Sequence, residues 1–181
     1  MGKTITEHLK NLDDVLSSLA NNGIILQINK CKLFREETEF LGHQISKNGI
    51  QPIKKNIEAM INIKNPDNLK KIRSLVGKFN YYAKFIPKHA EIMAPLSELI
   101  KGHSEDRKDT PITLTNEARE AIDIMKAKLT QAPILAYPNF YGDPFIVTTD
   151  ASFTGISYII SQMQNEKERV ICYGSRKLSP T

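Results

Sequence analysis

A chain of 181 residues with 40% hydrophobic and 25% charged residues can bury a core and has the composition of neither a disordered nor a collagen-like protein. No apolar run approaches the roughly 20 residues that cross a bilayer, and Cys31 and Cys172 stand apart without disulfide-framework or metal-ligand spacing. The charge is lopsided: residues 47–88 hold ten Lys or Arg against Glu58 and Asp67, a local net of +8 in a chain of total +5. That favours a polyanionic partner over a membrane or a small-molecule substrate.

Residues 4–22 predict a helix. Thr4 with Glu7 resembles a capping box, Leu9, Leu12, Leu16 and Leu19 make an apolar stripe, and Gly23 is a stop signal. Residues 24–28 and 39–46 read as short strands, and Lys47-Asn48-Gly49 as a hairpin turn. Residues 52–64 predict a short helix with Ile53, Ile57, Met60 and Ile61 on one side, ended by Asn65-Pro66.

Residues 67–86 are the most informative part of the chain. Their periodicity predicts one long amphipathic helix capped by Asp67, with Leu69, Ile72, Leu75, Val76, Phe79, Ala83 and Ile86 on the apolar face. Lys70, Arg73, Lys78 and Lys84 occupy the other face. Arg73, Gly77 and Tyr81, spaced i, i+4, i+8, form a stripe along it. A mid-helix glycine costs about 1 kcal/mol against alanine, which calls for a reason. A cation, a gap and a ring in a row suit a sugar-phosphate groove; a plain solvated basic face is the alternative.

Residues 89–100 predict a further helix, and the polar stretch 101–109 a domain boundary. A helix over 116–130 follows, with Ala118, Ala121, Ile122, Met125 and Leu129 in register. A strand over 145–149 ends at Asp150, and 156–163 and 169–175 read as the next two strands. The fold class is therefore α+β. Residues 1–6, Met-Gly-Lys-Thr-Ile-Thr, also fit the short and permissive N-myristoylation pattern at Gly2.

Three blocks of residues occur in a telling order. Phe40-Leu41-Gly42-His43 precedes Gly49-Ile50; Leu75-Val-Gly-Lys-Phe-Asn-Tyr-Tyr82 precedes Phe85-Ile-Pro87 and Ala94-Pro-Leu96. Ala132-Pro-Ile-Leu-Ala-Tyr-Pro138, Thr149-Asp-Ala-Ser152 and Tyr173-Gly-Ser-Arg-Lys-Leu-Ser179 close the series. This order resembles the Pol polyprotein of gypsy-class LTR retrotransposons, from the end of the reverse transcriptase palm through the thumb into ribonuclease H. The resemblance covers essentially the whole chain.

It implies a palm remnant over 1–46, a helical thumb and linker over 47–109, and the opening of a ribonuclease-H-like βα domain over 110–181. It further implies that Phe40, Leu41, Gly42 and His43 are a primer-grip-like hairpin, and that Arg73, Gly77 and Tyr81 face nucleic acid from the thumb helix. Lys70, Lys78 and Lys84 would support them. The partner implied is an RNA–DNA hybrid or DNA duplex, with the remainder of a Pol polyprotein if the gene continues. Asp150 resembles the first catalytic carboxylate and metal ligand of ribonuclease H, whose family chemistry uses Mg²⁺.

The sequence also departs from the family. It contains no Tyr-x-Asp-Asp hairpin, and of the ribonuclease H carboxylates it offers Asp150 alone. No Trp stands near Leu114, and Ser157 replaces a common Gly. The expectation is a family polymerase and nuclease whose isolated chain is inactive and needs no Mg²⁺. A non-enzymatic nucleic-acid-binding relic and a protein-interaction remnant are the alternatives. With no signal-peptide core and thiols read as reduced, an intracellular location, cytoplasmic or nuclear, is expected.

Overall fold

The computed structural model describes residues 4–103 and 110–178, so Gly2 and most of the polar 101–109 stretch lie outside the described residues. The chain divides into two compact units, one ending at Arg35 and the other starting at Glu36.

The first unit is built on α1 (Ile5–Asn21). The Thr4 hydroxyl accepts from the Glu7 N–H at 3.2 Å. At the far end Gly23 takes φ 70°, and the N–H groups of Gly23 and Ile24 return to the Ala20 and Leu19 carbonyls. This is a Schellman stop, as the glycine predicts. Residues 24–28 are a correction. They are exposed, and a 3₁₀ turn (Ile28–Lys30) follows instead of a strand. An apolar run with no strand beside it has no hydrogen-bonding ladder to join.

The second unit opens with a three-stranded antiparallel meander: β1 (Glu37–Phe40), β2 (His43–Ser46) and β3 (Gly49–Pro52). The strand expected over 39–46 is thus two strands. They reverse at Leu41 and Gly42, whose φ angles of 42° and 70° are both positive, as a type I′ turn requires. Glycine is at ease there; leucine is strained by about 1–2 kcal/mol. The next reversal is one residue earlier than Asn-Gly suggests, because Gly49 pairs with Ser46 and begins β3 at φ 132°. A Cβ on Gly49 would run into the Leu135 carbonyl, so the glycine serves close approach as well as the turn.

Among the described residues five helices follow: α2 (Lys54–Ile61), α3 (Leu69–Tyr81), α4 (His89–Ile92), α5 (Ala94–Ile100) and α6 (Asn116–Thr130). Three expectations need correcting. The cap of α3 is Asn68, whose side chain accepts from the Lys71 N–H at 2.9 Å, while Asp67 pairs with the Lys71 ammonium. The long helix ends at Tyr81, and a 3₁₀ turn (Ala83–Phe85) follows. The helix over 89–100 breaks at Met93, since Pro95 cannot donate to the carbonyl one turn back and instead occupies the first turn of α5.

One apolar core runs through these helices. Ile72, Leu75, Phe79, Phe85 and Leu96 meet Ala118, Ile122, Met125 and Leu129 of α6, so packing continues across the 101–109 stretch. The second sheet is the antiparallel meander β4 (Phe145–Ala151), β5 (Gly155–Gln164) and β6 (Lys167–Lys177). Residues 135 and 136 clasp the two sheets. Ile50 and Leu135 exchange both backbone hydrogen bonds at 2.8 Å, and the Ala136 N–H reaches the Val170 carbonyl at 2.8 Å. The architecture is α+β.

Candidate nucleic-acid interface

A groove of about 620 Å³ runs between α2 and α3. Buried Met60 and Tyr82 and half-buried Ile63 line it together with Asn56, Ser74, Gly77, Lys78, Tyr81 and Gly42 of the hairpin tip. A second depression of about 400 Å³ shares Ile63, Ser74 and Lys78 and adds Lys64, Lys70 and Lys71. The two form one track with an apolar bed and a basic rim. Nothing lies within 4 Å of where a Cβ on Gly77 would be. Among the described residues no packing demands this glycine.

The hairpin tip sits against the end of α3. The Tyr81 hydroxyl donates to the Leu41 carbonyl, and the Tyr82 hydroxyl donates to the Gly42 carbonyl at 3.2 Å. His43 Nδ1 lies 2.7 Å from the same Leu41 carbonyl, which can only accept, so the neutral ring carries its proton on Nδ1. The His43 ring packs on Phe85 with centroids 5.6 Å apart, and on Tyr81 at 5.2 Å. Burial pushes its pKa below the ordinary histidine value; the Leu41 carbonyl opposes this and Lys84 adds to it. Its Nε2 is buried without a partner among the described residues. Phe40 and Leu41 are exposed, so the tip carries an apolar prow instead of feeding a core.

The structure sorts the basic stripe. Lys70 and Lys78 stand exposed on the track, and Gly77 and Tyr81 lie on it. Arg73 does not line the track; it is half-buried and its Nη2 donates to the His103 carbonyl at 2.8 Å. Lys84 is also diverted. The helix has ended by that point, and the 3₁₀ turn aims its ammonium at the Phe85 ring, 5.3 Å from the centroid. Burial lowers the Lys84 pKa, offset in part by Cys172. Sequence reasoning passed over Asn56, Lys64 and Ser74. Ser74 and Lys78 share a helix face with Lys70 at i, i+4, i+8, a signal that was available.

Asp150 sits near the end of β4, opposite Ser157 in the register. Its carboxylate meets the Lys88 ammonium at 2.8 Å, and that hydrogen bond and charge hold its pKa below the usual carboxylate range. Lys88 is in the left-handed region at φ 56° just before α4. Ser152, Ser175 and Arg176 line a small cavity of about 50 Å³ here with Asp150 and Glu91. Among the described residues no three His, Cys, Asp or Glu side chains gather to hold a metal. Asp150, already paired with an ammonium, and Glu91 do not by themselves fit a two-Mg²⁺ centre, which needs several carboxylates around ions about 4 Å apart.

Residues 114–181 match the model of the RNase H-like domain found in reverse transcriptase. The Tf2-3 and Tf2-4 transposon polyproteins of Schizosaccharomyces pombe are each 33% identical over 178 residues, which is 98% of this chain and 13% of theirs. The chain thus spans about an eighth of the curated relatives it matches. The foamy viral protease-reverse transcriptase dRH in complex with double-stranded DNA superposes with a TM-score of 0.81 at 27% identity, covering 99% of this chain and 30% of that one. The foamy viral protease-reverse transcriptase in complex with RNA/DNA hybrid gives a TM-score of 0.80 at 27% identity, over 99% and 24%.

Proposed function

This chain belongs with the Pol polyproteins of gypsy-class LTR retrotransposons, as a reverse transcriptase and RNase H-like region, and on that premise we propose that it grips primer-template nucleic acid along the α2–α3 track. The observation that carries the reading is Gly77: a helix glycine that no neighbour requires, on a track rimmed by Lys64, Lys70 and Lys78. An apolar bed packs sugar edges and the lysines meet phosphates, so an RNA–DNA hybrid or DNA duplex is held by shape and charge without base reading. Gly42, at the tip of the 40–43 hairpin, lines the same groove.

The chain on its own is a binding element in this reading, and neither polymerisation nor hybrid cleavage is expected from it. Mg²⁺ belongs to the family's complete centres. Lys88 on Asp150 favours the related view of a non-enzymatic nucleic-acid-binding module. Fluorescence anisotropy with a labelled RNA–DNA hybrid across a salt series tests the grip. Binding should weaken with a log–log slope of about −0.9 per phosphate contacted, shallower after Lys78→Ala. Salt-independent or absent binding ends the proposal, and Mg²⁺-dependent cleavage that Asp150→Asn abolishes would end the non-catalytic part.

A further inference from the structure

Leu41 sits in the left-handed region, where a branched side chain needs outside support, and it does so at the tip of a hairpin flanking the track. Among the described hydrogen bonds, its carbonyl accepts only from side chains: the Tyr81 hydroxyl and His43 Nδ1–H. The neighbouring Gly42 carbonyl takes the Tyr82 hydroxyl, and Asn56 on α2 donates to that same hydroxyl at 3.1 Å. The contact is close on the carbon side too. A Cβ on Gly42 would lie 3.1 Å from the Tyr81 ring. Two consecutive tyrosines at the end of α3 therefore hold two consecutive carbonyls of a strained turn, with the His43 ring packed between them and Phe85.

We propose that Tyr81 and Tyr82 are positioning residues that lock the 40–43 tip to α3, so that tip and track present one rigid surface to nucleic acid. The proposal rests on the nucleic-acid reading above. Tyr81, expected to face the ligand, then acts mainly through Leu41; its hydroxyl is already engaged, and only the exposed part of its ring is left for contact.

The test uses the whole chain with Tyr81→Phe, which deletes the hydroxyl and keeps the ring. Backbone ¹⁵N relaxation should show residues 41–43 gaining motion while resonances of α3 from Leu69 to Asn80 stay in place. Hybrid affinity should fall about threefold, the scale of one hydrogen bond, with the salt slope unchanged. Leu41→Gly in the wild-type background should relieve the backbone strain while leaving the Tyr81 hydroxyl bond to the residue 41 carbonyl in place, so its tip should stay more ordered than that of Tyr81→Phe. A tip as rigid in Tyr81→Phe as in the wild type, or a Leu41→Gly tip looser than that of Tyr81→Phe, overturns the lock. A tip that loosens without weakening hybrid binding overturns its place in the contact surface while leaving the track intact. Tip motion is measured without nucleic acid, so failure of the wild-type chain to bind hybrid would indict the earlier reading separately.

Discussion

The α2–α3 track and the Asp150 corner handle charge in opposite ways. On the track Lys64, Lys70 and Lys78 make no ion pair with any described residue, and they surround an apolar bed with a gap at Gly77. At the corner the one carboxylate with a catalytic resemblance is neutralised by Lys88 within the chain. Uncompensated charge along a surface sets up a field that attracts groups of opposite sign, whereas in a compensated pair the fields largely cancel. A binding surface can be carried by one helix and its neighbours. A metal centre requires carboxylates from several elements to converge, and among the described residues no such cluster forms around Asp150.

The largest effect should come from the frame that supports the track. Gly49→Ala puts a methyl group into the Leu135 carbonyl at a φ that only glycine takes readily. Urea denaturation should show a loss of roughly 3 kcal/mol. If stability is untouched, the clasp between the sheets is looser than described.

Gly77→Val separates surface from frame. Its Cβ meets nothing, so circular dichroism should report an intact helix, while hybrid affinity falls about tenfold, or 1.4 kcal/mol. Gly77→Ala should stabilise the fold by about 1 kcal/mol and still weaken binding. An Ala variant that binds as well as wild type leaves only a solvated basic face.

Acid sharpens the contrast. Burial depresses the pKa values of His43 and His89, so below about pH 6.5 the unfolded chain takes up protons that the folded chain refuses. Their contribution is complete above that pH and shrinks as pH falls toward the folded-state values. Thermal melts should drop over this window, and less steeply in His43→Phe. The smallest change is expected at the corner. Lys88→Met should raise the Asp150 midpoint in a carboxyl NMR titration toward its ordinary value, with little effect on hybrid binding.

Much of this was legible from residue order. The apolar spacing of 118, 121, 122, 125 and 129 gave α6 its bounds, and the apolar run from 145 placed β4 ending beside Asp150. Periodicity also put Gly77 and Tyr81 on one face of the helix, and both line the groove. It failed where the helix did: a wheel drawn to residue 86 assigns Lys84 a face that the 3₁₀ turn after Tyr81 removes. Arg73 fits the wheel, yet the backbone of His103, thirty residues on, engages its guanidinium. Local rules read spacing along one element; they do not see which carbonyl a distant segment will present. Leu41 shows the same limit, since no propensity places leucine at positive φ until Tyr81 is beside it.

The clasp at Leu135 and Ala136 has a consequence for the order of folding. Ile50 pairs with a residue 85 positions away, whereas each hairpin and helix closes locally. Contacts of such separation carry a large loop-closure entropy and form late. The meanders and helices should therefore assemble first as semi-independent pieces, and Ile50–Leu135 should be the bond that joins them last and opens first. Pulsed hydrogen exchange during refolding would see the Leu135 and Ile50 amides gain protection together, after those of α3 and α6.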